Sequence, residues 1–153
     1  MARIDFLKKA RKSFTVANIM LKISEQDEFK KTLAISQDFE MYEWVIIVSY
    51  YSMYVSALAA LTKLGFKSKS HAATISVLEY YYTHKQKNLE AKHIQQLTKA
   101  YVLSKDLINK LIQTKTRRET AQYDATPGIS RENAVSALGD AEEFITKIEE
   151  IIS

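Results

Sequence analysis

The sequence has no cysteine. That removes disulfides, cysteine-ligated zinc, iron–sulfur ligation and thiol catalysis together. It has one proline, Pro127, and three glycines, Gly65, Gly128 and Gly139, in 153 residues. So few turn-formers do not suit an all-β sandwich, which needs many tight turns. Glycines at these positions cannot build a phosphate-cradling glycine-rich loop either. Three histidines, His71, His84 and His93, are too few and too scattered to argue for zinc, and no His-Glu-x-x-His spacing occurs. Glu90-Ala91-Lys92-His93 has the Glu-x-x-His spacing of a bundle di-metal site, but it occurs once where such sites use it twice. No metal and no cofactor is expected.

What is present is an ordinary globular balance, 46% apolar and 26% charged, at a length that fits one domain over residues 1–153. Lysine plus arginine is 22 against 18 carboxylates, a net charge of +4 that mildly favours anionic partners. The densest basic stretch, Lys8, Lys9, Arg11 and Lys12, reads as the solvated face of a first helix. The N-terminal residues contain no apolar run of signal-peptide length. From Trp44 to Thr62 no residue is charged, which approaches the ~20 residues that span a bilayer. Its many tyrosines and serines fit a buried central helix of a bundle better. A cytoplasmic protein without membrane contact is expected.

Periodicity supplies the elements. Ile4, Leu7, Ala10, Phe14, Ala17 and Leu21 recur at helical spacing over 3–22. Residues 24–37 are polar and predict a loop, with or without a short helix around Phe29–Leu33. Val45-Ile46-Ile47-Val48 has strand propensity, yet no turn signal follows until Gly65, too long for a strand. Residues 40–64 therefore predict a helix, with Trp44, Ile47, Val48, Tyr51, Val55, Leu58 and Leu61 on one stripe and Gly65 as its left-handed terminator. Ser68 or Ser70 caps a third helix to about Thr83. In it, Tyr80-Tyr81-Tyr82 point ~100° apart and so make no single stacking platform; one or two belong to the core. A fourth helix runs from Leu89 to Gln122, with Ile94, Leu97, Tyr101, Ile108, Leu111 and Lys115 on one face. Pro127-Gly128 breaks the chain. Ser130 caps a last helix, onto whose Ala134 Ile129 is placed to staple. Its stripe is Ala134, Ala137, Leu138, Ala141, Phe144, Ile148 and Ile151. The expected fold is all-α, an up-down helical bundle of four long helices plus a shorter helix.

One cluster bears chemistry: Arg117-Arg118-Glu119-Thr120-Ala121-Gln122-Tyr123-Asp124. On a continuous helix Arg118 shares the face of Ile108 and Leu111. An arginine buried there needs a partner. It is either a structural ion pair with a carboxylate such as Glu142 or Glu43, or a fixed guanidinium whose planar fork is offered to phosphate.

Three segments, in order over about residues 38–150, resemble the HEPN family (higher eukaryotes and prokaryotes nucleotide-binding domain). They are Ser49-Tyr50-Tyr51-Ser52-Met53-Tyr54 followed by Ala57, Ala60 and Leu61; Gly65 with Lys67-Ser68-Lys69-Ser70-His71; and Arg118-Glu119-Thr120-Ala121-Gln122-Tyr123. The resemblance implies a helical bundle, commonly a homodimer, often encoded beside a small nucleotidyltransferase of the minimal type in a toxin–antitoxin-like module. In such modules the HEPN protein is often an RNase toxin, whose usual signature is Arg followed four to six residues later by His.

This sequence departs from that signature. No His follows any of Arg3, Arg11, Arg117, Arg118 or Arg131 at the required spacing; five residues after Arg118 stands Tyr123. Tyrosine, with a pKa near 10, is a poor general base at neutral pH. The resemblance therefore implies nucleotide or RNA binding. Arg118 holds phosphate, with Arg117 beside it. Tyr123 orients the phosphate or offers a hydroxyl for the partner to modify. His71 and Lys69 add positive charge, and Tyr51 supports the site from the central helix. His71 has a plainer reading as well, a neutral ring that donates to a nearby carbonyl and locks the turn. The alternatives in function are a metal-independent endoribonuclease with a degenerate site, in which Arg118 works with Tyr123 or His71, and a structural homodimer or adaptor.

Overall fold

The computed structural model describes residues 2–117 and 130–153, with 113–117 described by backbone alone, and among these every regular element is helical. The chain forms α1 (Ala2–Glu25), α2 (Asp27–Thr32), α3 (Tyr42–Lys63), α4 (His71–Val77) continued by π-helical turns over Leu78–Lys85, α5 (Ala91–Arg117) and α6 (Arg131–Ile152). Four long helices therefore make the bundle, as expected. The shorter elements number two, α2 and the α4–π segment.

Helix α3 is the centre. It packs most extensively on α1 and α6, and also on α5. It is long and apolar enough to cross a membrane, but most of it is covered by the other helices. The stripe drawn from its large residues is corrected by the structure. Trp44 and Tyr51 lie on its exposed edge, while Ser49, Ser52, Ser56, Ala57, Ala59 and Ala60 are fully buried. A helix covered on several sides must let each neighbour approach, and small side chains permit that closeness. On α1, Ala10 and Ala17 are fully buried in turn. The hydroxyls of Ser52 and Ser56 donate to the carbonyls of Ser49 and Met53, each at 2.7 Å, so two of the three serines cost little to bury. Replacing Ser56 by leucine should therefore destabilise the fold by about 1–3 kcal/mol through overpacking. Equilibrium urea unfolding measures this, and an unchanged midpoint would contradict the close packing.

The helix ends follow the sequence signals. Gly65 has φ of +81°, and the amides of Gly65 and Phe66 donate to the carbonyls of Thr62 and Leu61, the paired bonds of a Schellman terminator. Ser70 caps α4 by accepting from the Ala73 amide. Ser130 caps α6 in a reciprocal box with Asn133. The Ile129 staple and the Pro127-Gly128 break lie outside the described residues.

Two apolar clusters form the core. The larger joins Met53, Ala57 and Leu61 of α3 to Leu78 and Tyr82, to Ile94 and Leu97 of α5, and to Phe144 and Ile148 of α6. The smaller joins Ala17, Val45, Ile46, Leu107, Ala134 and Leu138. The face read for α5 needs correction past its midpoint. Among the described residues its buried positions are His93, Ile94, Leu97, Ala100, Ser104 and Leu107, whereas Ile108 and Leu111 are 42% and 36% exposed. In the basic stretch of α1, Lys8, Lys9 and Lys12 are exposed as expected, and Arg11 alone departs. Arg11 turns inward onto α6, where it donates to Glu142 at 2.9 Å, to Thr146 at 3.1 Å and to Glu149. These carboxylates hold its guanidinium more firmly charged than usual.

Candidate functional site

The Gly65 terminator and the Ser70 cap fix where His71 begins α4, and they set its ring between α3 and α5. The imidazole stacks on Tyr101 of α5, ring centroids 3.9 Å apart and planes within 8°. The Tyr50 hydroxyl of α3 lies 3.3 Å from His71 Nδ1, and the Tyr50 ring is 5.6 Å from that of Tyr101. Tyr54 joins the edge of the group at 6.0 Å from Tyr50, and Lys105 Nζ sits 5.8 Å from the centre of the Tyr101 ring. Three helices thus converge on one imidazole–tyrosine cluster.

Burial sets the charge state of this cluster. It pushes the Tyr50 hydroxyl well above its usual value, so Tyr50 remains a neutral donor. It also lowers His71 below the ordinary 6.5, which leaves the ring uncharged at neutral pH. The Tyr50 hydroxyl is the one polar partner of the ring among the described residues, on Nδ1, and the other ring nitrogen is Nε2. That atom is buried and has no hydrogen-bond partner among the described residues. Positive charge here comes from Lys69 and Lys105, both exposed, and not from His71. The polar contact of the His71 ring is the Tyr50 hydroxyl and not a backbone carbonyl.

A pH dependence follows. His71 and His93 both have pKa values lowered by burial. Between pH 6.5 and their folded values, the unfolded chain binds protons that the folded chain does not, so stability falls as pH drops through that window. Unfolding free energy measured at pH 7.5 and 5.5 should be smaller at the lower pH. The difference should shrink in His71→Gln. An unchanged difference would show that His71 is not held neutral.

Of the residues expected to act together, the structure describes Tyr51, Lys69, His71 and the backbone of Arg117. Tyr51, one residue from Tyr50, is turned about 100° round α3. It faces α1, with Lys9 Nζ 5.7 Å from its ring. Arg117 closes α5, sixteen residues beyond Tyr101, which places its backbone about 24 Å along the helix axis from the His71 cluster. Arg118 and Tyr123 lie outside the described residues. The face that periodicity assigned to Arg118 is exposed at Ile108 and Leu111, and Glu142, one of its two expected partners, is engaged by Arg11.

Tyr50 and Tyr101 are members of the cluster that sequence reasoning did not single out. The Tyr-Tyr pair in the sequence pointed to this region, but only the phase of α3 decides which tyrosine faces His71. A second group also emerges. Tyr82 is fully buried and donates to the Ala60 carbonyl at 2.6 Å. Tyr80 and Tyr81 make an edge-to-face pair at 4.8 Å. Their planes are 83° apart, so the three tyrosines make no single stacking platform, and Tyr82 is the one that joins the core, as the sequence predicted.

The cleft between α5 and α6 is not a nucleotide pocket. Lys99, Asn133, Ser136 and Asp140 line it, and it encloses about 40 Å³, room for a few waters. Nucleotide-sized ligands need several hundred. No curated relative matches the chain. The HEPN domain model matches residues 5–151, with the central helix, the glycine turn and the capped last helix where the motifs placed them. The chain belongs to the HEPN family.

Proposed function

We propose that the chain is a cytoplasmic, single-domain HEPN protein that binds nucleotide or RNA as a homodimer. In this reading it works with a minimal nucleotidyltransferase in a two-gene, toxin–antitoxin-like module. The observation that carries the reading is family membership over nearly the whole chain. The excess of basic side chains supports it, since anionic ligands are drawn to such a surface. Arg118 holds phosphate through its planar fork, with Arg117 next to it. Tyr123 orients the phosphate or receives a modification from the partner. Within one protomer, His71 stacks on Tyr101, about 24 Å along α5 from the backbone of Arg117.

A gel that reports both mobility and integrity of a labelled RNA tests the proposal, with wild type beside Arg118→Ala in EDTA. The expected result is RNA shifted and intact with wild type, and shifted only at about tenfold or more higher concentration of the variant. RNA shortened by wild type alone would make the chain a metal-independent endoribonuclease, with Tyr123 or His71 in place of the missing histidine. No shift and no cleavage, with both proteins folded, would leave a structural dimer or adaptor. Co-purification with the product of an adjacent nucleotidyltransferase gene tests the partner.

A further inference from the structure

The net charge of this chain is not spread evenly. Residues 63–87 carry five lysines, Lys63, Lys67, Lys69, Lys85 and Lys87, against a single carboxylate, Glu79. That stretch accounts for the whole excess of +4; the rest of the chain balances at seventeen of each sign. It covers the Gly65 turn and the π-helical segment, two pieces that the fold brings together. Phe66 from the turn packs on Tyr81 at 5.2 Å, and Tyr81 packs on Tyr80. Lys85 Nζ lies 5.2 Å and 5.7 Å from the centres of the Tyr80 and Tyr81 rings. Tyr80 is 52% and Phe66 37% exposed. Lys63 is partly engaged, donating to the Ile151 carbonyl at 2.6 Å, while Lys67, Lys69, Lys85 and Lys87 are exposed.

We infer that this aromatic and cationic end of the bundle binds single-stranded nucleic acid, with bases stacked on Tyr80 and Phe66 and phosphates held by the lysines around them. Exposed rings interleaved with cations match the chemistry of an unpaired strand, which offers base faces and phosphates alternately. A duplex hides its base faces and would leave Tyr80 and Phe66 without a partner. The π-helical turns supply the geometry. They bury Tyr82 as an anchor under Ala60 while keeping Tyr80 and Tyr81 together at the surface. This surface is distinct from the Arg118 segment, and the inference does not depend on Arg118.

Fluorescence anisotropy with a labelled oligouridine RNA of about 12 nucleotides, a length within the usual single-strand site sizes, tests it. Tyr80→Ala is expected to weaken binding about tenfold, and Tyr80→Phe, which keeps the ring, to bind as wild type does. Lys85→Ala should weaken binding and flatten its salt dependence. The same RNA annealed to its complement should bind more weakly. Tyr80 is at the surface, so its variants should keep the wild-type circular dichroism. Lys67→Ala provides a second test that leaves the π-helical turns untouched. The inference is overturned if Tyr80→Ala, Lys85→Ala and Lys67→Ala all bind like wild type. It is also overturned if the wild-type protein ignores RNA and binds phosphatidylserine vesicles through the same side chains. Loss in Arg118→Ala alone would remove this surface and keep the Arg118 reading. Loss in Tyr80→Ala alone would do the reverse.

Discussion

Replacing Phe144 by alanine should cost about 3–5 kcal/mol of stability, a large share of what a domain of this size has. Phe144 is fully buried on α6, within the cluster that gathers Met53, Leu61, Leu78, Tyr82, Leu97 and Ile148. It therefore lies on the helix that packs against α3, α1 and α5. Truncation removes a ring's worth of apolar burial, and its several neighbours, set on separate helices, cannot all collapse into the space left behind. Equilibrium urea unfolding at neutral pH gives the number. A loss below about 1 kcal/mol would mean that the larger cluster is not the core of the fold.

Tyr82→Ala is expected to be nearly as costly, about 3–5 kcal/mol by analogy with other buried aromatics. The contrast with Tyr82→Phe separates its two contributions. Phenylalanine keeps the ring and loses only the hydroxyl that donates to the Ala60 carbonyl at 2.6 Å, a change worth about 1 kcal/mol. Burial pushes that hydroxyl up to about 12, so it stays a donor throughout the physiological range. Because Tyr82 fastens the π-helical turns to α3, Tyr82→Ala should also raise hydrogen exchange over 78–85 more than over α6. Uniform loss of protection would show that this segment has no independent attachment.

The helices were legible because their signals are local. Gly65 needed only its own left-handed preference, Ser70 and Ser130 their capping hydroxyls, and α6 a clean apolar period. The phase of α3 was not legible. Nearly every residue in it is apolar or small, so period-counting favoured large residues, whereas burial follows how closely α1 and α6 approach. That error put Tyr51 in place of Tyr50 beside His71. The inward turn of Arg11 was hidden for a different reason: its partners Glu142 and Glu149 lie more than 130 residues away, and charge runs carry no record of distant carboxylates. The π-helical turns over Leu78–Lys85 were not legible either, because no local residue type announces them. Arg118 and Tyr123 carry a reading from the sequence to which the described residues add only the position of Arg117.

The most direct test of nucleotide or RNA binding through Arg118 is a titration of the purified protein with a labelled RNA at two salt concentrations, wild type beside Arg118→Ala and Arg118→Lys. Wild type should bind, and its binding should weaken with salt, as phosphate contacts require. Arg118→Ala should lose about tenfold or more in affinity, with lysine restoring part of it, because a point charge replaces a planar fork. Equal affinity in all three proteins, or no binding by wild type at either salt, would contradict it.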